Sequence, residues 1–132
     1  MKEQYKYRLW ASIEKLGWIV VPIPASGGGR RGIHRPDIII GNKVKVFVAE
    51  VKNCRLPLYL SLDRDVLPVI HYADALKAQP IFIVKRKFAK EWLVFRLEEL
   101  EKCTQNSYVI NQRNISIGQP LDWFLNTHPN KF

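Results

Sequence analysis

The sequence predicts an α/β fold built on a mixed central sheet of about five strands flanked by helices. Three observations predict it. Segments with helical spacing of apolar residues alternate with short β-branched runs. Two of those runs face each other across a Gly41-Asn42 pair, a hairpin signal. Apolar residues make up 47% of the chain, a share typical of globular proteins. At 132 residues the chain suits a single domain spanning residues 1–132, with room for a proper core.

Residues 3–16 (EQYKYRLWASIEKL) place Leu9, Ile13 and Leu16 at helical spacing, joined by Tyr5 and Trp10. Gly17 follows as the C-terminal stop of this first helix. WIVVPI is a short buried strand, and Pro22 near its end marks an edge or a bulge. Residues 24–36 (PASGGGRRGIHRP) lose all periodicity and read as a loop. PDIII and KVKVFVAEVK are then two strands, antiparallel neighbours across Gly41-Asn42. PLYLS is a short extended segment.

Residues 63–78 form a second helix on Val66, Ile70, Ala73 and Leu76 or Lys77. Pro68 is compatible with it only if the helix begins near Asp65, which puts the proline in the first turn. PIFIVKR and WLVFRL are two further strands joined by a basic turn (KFAK). The tail reads as a short helix around Glu98 to Cys103, a strand at Tyr108 to Ile110, and LDWFLNT as a last helical turn or two.

Lys and Arg number 21 against 12 Asp and Glu, a formal net charge of +9. That excess points to a polyanionic partner, nucleic acid above all, with a merely soluble basic surface as the plainer alternative. The charged N-terminus MKEQYKYRLW lacks the apolar run of a secretory signal, and no apolar stretch is long enough to span a bilayer. A cytoplasmic protein without membrane association is expected. Cys54 and Cys103 are too few for a disulfide framework and too far apart for a zinc knuckle. They read as reduced thiols, a single bridge being the alternative.

The chemistry gathers on the third strand. Alternation puts Val44, Val46, Val48, Glu50 and Lys52 on one face, and Phe47, Ala49 and Val51 on the other. A carboxylate and an ammonium at the end of an apolar row are costly to desolvate unless paired or bound to a metal. Asp37 opens the preceding strand, so the hairpin brings it beside Glu50 and Lys52 despite their separation in sequence. Two carboxylates can hold Mg²⁺ while leaving positions for water and phosphate, and a lysine adds positive charge near the scissile group. The plainer reading is a salt bridge at a sheet end with an aspartate cap beside it.

Pro36-Asp37 followed by Glu50-x-Lys52 resembles the PD-(D/E)-x-K motif of restriction-endonuclease-like nucleases. Over nearly its whole length the chain resembles, more narrowly, the archaeal Holliday-junction resolvases, in the stretches GWIVVPIPASG, PDIIIGN, VFVAEVKN, LPLYLSLDRDV and EWLVFRLEELE. The resemblance implies a restriction-endonuclease-like sheet and a homodimer with two active sites. It also implies symmetric, Mg²⁺- or Mn²⁺-dependent cutting of four-way or other branched DNA in recombination and repair. Asp37 and Glu50 would be metal ligands together with the Val51 carbonyl, and Lys52 the catalytic lysine. Ser26 matches the serine these enzymes carry in the loop after strand one, within reach of the phosphate or a water on the metal.

The departures from the family lie on the first helix and first strand. The family's helix carries Glu-Arg where this chain has Lys6 and Tyr7. Glu3, one turn upstream, is the candidate replacement ligand, and Arg8 the candidate replacement arginine. Pro22 stands where the family tends to have arginine. In the glycine-rich loop Arg30, Arg31, His34 and Arg35 suit phosphate contacts that position DNA without reading its bases, a solvated basic loop being the alternative. Lys6, Arg8, Lys85, Arg86, Lys87 and Lys90 would extend the basic surface, each carrying little weight alone. Tyr72 and Leu76, one helical turn apart, lie where the family places bulky dimer contacts, ordinary core packing being the alternative. Two rival readings stand beside the resolvase. One is a non-catalytic paralogue that binds branched DNA without cutting it; the other is a nuclease of the same fold acting on another DNA structure.

Overall fold

The computed structural model describes residues 4–24 and 34–127. Its elements run α1 (Gln4–Lys15), β1 (Ile19–Pro22), β2 (Ile38–Gly41), β3 (Val46–Cys54) and β4 (Leu58–Ser61). A π-helical turn (Leu62–Val66) leads into α2 (Leu67–Leu76), then β5 (Gln79–Arg86) and β6 (Leu93–Arg96). A 3₁₀ turn (Leu97–Glu99) precedes β7 (Glu101–Thr104) and β8 (Ser107–Ile110). The chain closes with a 3₁₀ turn (Ile115–Ile117), β9 (Gln119–Pro120) and α3 (Leu121–Asn126).

Six strands form the central sheet in the order β1-β2-β3-β5-β6-β9, and β4-β8-β7 form a second sheet. Among the described residues only β3 and β5 pair in parallel; the other pairings in the central sheet are antiparallel. Parallel pairing needs a crossover, which β4, the π-helical turn and α2 supply. Apolar side chains alternate across the sheet as the pleat requires. Ile38, Ile40, Phe47, Ala49, Val51, Ile81 and Ile83 meet α1 and α3 on one face. Val48, Phe82, Val84 and Phe95 meet α2 and the second sheet on the other. Each fully buried Ile or Phe contributes roughly 1.5–3 kcal/mol relative to exposure, so the sheet is anchored from both sides.

Local signals explain the boundaries. Gly17 takes a φ of +93° and its amide donates to Glu14, ending α1 where its lack of a Cβ permits the turn. The Asn42 side-chain oxygen accepts from the Val44 and Lys45 amides and closes the β2–β3 hairpin in register Ile38↔Ala49. Pro68 sits in the first turn of α2, where no amide is needed.

Four expectations change. β1 lies at the sheet edge as Pro22 signals, but it is not buried: Ile19 and Val21 are exposed and only Val20 is covered. β3 starts at Val46, later than Lys43, and runs on to Cys54 because its pairing with β5 continues that far. The second helix divides into the π-helical turn and α2. The helix expected at Glu98 to Cys103 is a 3₁₀ turn followed by β7, since Glu101 and its neighbours pair with β8 in a hairpin that helical propensity does not foresee. Among the described residues no helix is long and apolar enough to cross a membrane, and both cysteines are free.

Candidate active site

Asp37 lies one residue ahead of β2, and its amide donates to the Ala49 carbonyl at 3.1 Å, continuing the β2–β3 ladder by one step. Its side-chain Oδ2 accepts from the Val51 amide at 2.8 Å. The carboxylate is thereby held across the strand beside Glu50 with its Oδ1 turned toward Lys6, whose Nζ lies 3.6 Å away. Only 9% of Asp37 and 8% of Glu50 is exposed, which makes them the two buried acids among the described residues.

Burial pushes the Glu50 carboxyl up to about 8 from its ordinary 4.5, and the neighbouring Asp37 charge pushes it the same way, while Lys52 opposes. A pair of desolvated carboxylates that repel each other favours the approach of a cation. Lys52 offers part of the answer: its Nζ lies 3.5 Å from Glu50 Oε2 and 2.9 Å from Asp65 Oδ1. Burial draws the Lys52 ammonium down, but hydrogen bonding and charge from Asp65 and Glu50 outweigh it and raise it overall. The lysine is therefore held charged and in place.

Asp65 is the member of the site that the residue pattern does not reveal. It belongs to the π-helical turn, with Oδ2 accepting from the Ser61 amide at 2.8 Å and Oδ1 from Lys52. Short π-helical insertions are frequent at functional sites. The stretch LPLYLSLDRDV carries part of the family resemblance, so a signal exists. Nothing in its periodicity, however, says that Asp65 reaches across to β3.

The hairpin assembles Asp37, Glu50 and Lys52 as expected from their spacing. Glu3, Ser26, Arg30 and Arg31 lie outside the described residues. His34 and Arg35 precede Asp37 and are half-buried, while Arg8 is exposed on α1. Lys6, read from sequence as a DNA contact, lies with its Nζ 3.6 Å from Asp37 Oδ1. Tyr72 is partly packed on the core beneath α2, and Leu76 is 48% exposed.

The donor chemistry fits a hard divalent cation. Two adjacent carboxylates supply oxygen ligands, and their mutual repulsion favours added positive charge. Among the described residues no group of three or more His, Cys, Asp or Glu side chains is set to hold a metal; Glu3, the candidate replacement ligand, lies outside them, and backbone, water or substrate could supply further ligands.

The family described as archaeal Holliday junction resolvase (Hjc) matches residues 3–131. The chain is similar to the 1.6 Å structure of Archaeoglobus fulgidus Hjc, a Holliday junction resolvase from an archaeal hyperthermophile. The TM-score is 0.82 at 26% identity, covering 94% of this chain and 98% of that one. No curated protein sequence matches the chain significantly. With the motif residues gathered at one end of a shared sheet and the match running almost from end to end, the chain belongs to the archaeal Holliday junction resolvase family.

Proposed function

We propose that this protein resolves four-way DNA junctions by Mg²⁺- or Mn²⁺-dependent phosphodiester hydrolysis at the Asp37–Glu50–Lys52 site. Family membership and the likeness to a Holliday junction resolvase support a junction-resolving nuclease. The observation that carries the chemistry is the buried pair Asp37 and Glu50 beside a lysine tied to Asp65. Asp37 and Glu50, with the Val51 carbonyl, would hold the cation. When bound, it supplies Lewis-acid charge to the phosphate and lowers the pKa of attacking water. Lys52 presents an ammonium to the same phosphate, and Asp65 keeps that ammonium from wandering. Water adds across one P–O bond, and the +9 chain draws the DNA in.

Resolution requires cuts on two strands, and a two-fold homodimer with Tyr72 and Leu76 at its interface would present two equivalent sites. The test incubates labelled four-way junction and matched linear duplex with the protein and Mg²⁺. Paired symmetric nicks confined to the junction, and lost in Glu50→Gln, are expected. Cutting of both substrates alike would instead indicate a nuclease without junction preference.

One observation favours a second reading, a paralogue that binds junctions without cutting. Lys6 stands where the resemblance leads one to expect a glutamate and places a competing cation 3.6 Å from Asp37. Tight junction binding with no nicks would select this reading. Lys6→Glu would then restore cutting if the lysine alone blocks the site.

A further inference from the structure

Beyond the carboxylate site, β3 and β5 end side by side, with Cys54 paired to Arg86 and the Lys87 amide donating to the Cys54 carbonyl at 2.9 Å. The chain leaving β3 and the turn joining β5 to β6 enclose a cleft of about 400 Å³, lined by Arg55, Arg86, Lys87, Phe88 and Gln112 among others. No carboxylate among the described residues lines it, so its charge is wholly positive. Three cations held together without an acid repel one another and suit an anion with several oxygens.

Phe88 makes this cleft unlike an ordinary basic patch. Its ring is 82% exposed, the most exposed large apolar side chain among the described residues. Arg55 lies 5.9 Å from the ring centroid and Lys87 5.7 Å, so cations flank the aromatic face. The backbone at Phe88 has a φ of +70°, a conformation that a bulky L residue adopts at a cost. A strained turn that lifts a phenyl ring into solvent between two cations gains nothing from core burial. The arrangement matches the stacking platforms of proteins that grip unpaired nucleic acid, where a cationic groove follows the backbone and an aromatic ring takes a base.

The position in the fold narrows the ligand. Arg55 follows Lys52 by three residues along an extended chain, placing the cleft roughly 10 Å from the catalytic lysine at the same end of the sheet. DNA held at the carboxylates would extend over it. Resting on the junction-nuclease reading above, we infer that this cleft is a second DNA subsite. Arg55, Arg86 and Lys87 hold backbone phosphates there, and Phe88 stacks on a base left unpaired or unstacked near the branch point. The subsite thereby contributes to the choice of branched over linear DNA.

The test measures equilibrium binding, without divalent metal, to a four-way junction, a matched linear duplex and a single-stranded oligonucleotide. The junction and the single strand carry 2-aminopurine, at the branch and in mid-strand respectively. Phe88→Asn removes the ring and leaves a residue that accepts the left-handed backbone. It should weaken junction and single-strand binding roughly tenfold, change duplex binding less than twofold and abolish the 2-aminopurine response. Phe88→Trp should preserve all three. Arg55→Gln with Lys87→Gln should lower the salt dependence of junction binding by about 1–2 phosphate contacts.

Phe88→Asn binding every probe as the wild type does would overturn the subsite, as would equal losses on junction and duplex. A change in oligomeric mass in that variant would also overturn it, by making the ring a contact between copies of the chain. Failure of the junction reading looks different: the wild type would show no preference for junction over duplex, while Phe88→Asn still lost single-strand binding.

Discussion

Glu50 and Asp65 act on the site through opposite electrostatic routes. Glu50 is ionised only at a cost, its carboxyl raised to about 8 by burial and by Asp37. Below its ordinary 4.5 both folded and unfolded chains hold the proton, so no penalty arises. Between 4.5 and about 8 the folded chain keeps a proton that the unfolded chain has released, and stability falls as pH rises. Above about 8 the full penalty applies, on the order of 3–5 kcal/mol. In metal-free buffer, Glu50→Gln should therefore melt several degrees above the wild type near pH ~9 and close to it near pH ~4. A difference in Tm that stays flat with pH would refute the assignment.

Asp65 acts through Lys52, to which it lies 2.9 Å away. Asp65→Asn should lower kcat about 10- to 100-fold, the cost typical of removing a supporting partner, with junction affinity unchanged. A loss confined to KM would show that Asp65 serves binding instead.

At the scale of elements, the last strand and its flanking turn hold the far edge of the central sheet. Gly118 enters β9 so close to β6 that an added Cβ would lie 2.7 Å from the buried Phe95 ring. Phe95 is fully buried, so moving its ring would disturb the core, and Gly118→Ala should destabilise by about 1–3 kcal/mol in urea unfolding. Unchanged stability would mean that the ring has room to shift. Asn114 shows how the tail is tied down. Its side chain is buried, accepts from the Asn111 amide, and donates to Glu101 and to the Val109 carbonyl. That network pins the 3₁₀ turn before β9 to the β7–β8 hairpin.

For the whole molecule, the proposed paired cutting depends on assembly. Leu76 is half exposed at the end of α2, and Tyr72, one turn before it, is partly packed on the core, a pair that still reaches the surface. If it forms the two-fold contact, Leu76→Lys should raise the dimer dissociation constant at least roughly tenfold in sedimentation equilibrium. Junction cutting should then become single nicks instead of paired ones. A variant that stays dimeric would move the interface elsewhere, with the exposed edge β1 as the next surface to examine.

Much of this is legible in the residue order because it depends on local periodicity. Helical spacing locates α1, and β-branched alternation locates β2, β3, β5 and β6. The Gly41-Asn42 signal joins two strands, and that pairing alone makes Asp37, Glu50 and Lys52 converge at one end of the hairpin. These features follow from short-range geometry: a pleat repeats every two residues and a hairpin reverses the chain within a few.

Tertiary structure alone decided which distant groups share a field. Asp65 reaches Lys52 because a parallel crossover folds the π-helical turn back over β3. Lys6 reaches Asp37 because α1 packs beside β2, and Arg55 meets Phe88 because β3 and β5 end together. Local sequence periodicity carries no information on such contacts, since they depend on how whole elements are laid against one another. The sequence by itself determined the Asp37, Glu50 and Lys52 trio and the β2–β3 hairpin that carries it. The fold decided the burial of that trio and the charges around it, and with them how Glu50 titrates and what holds Lys52.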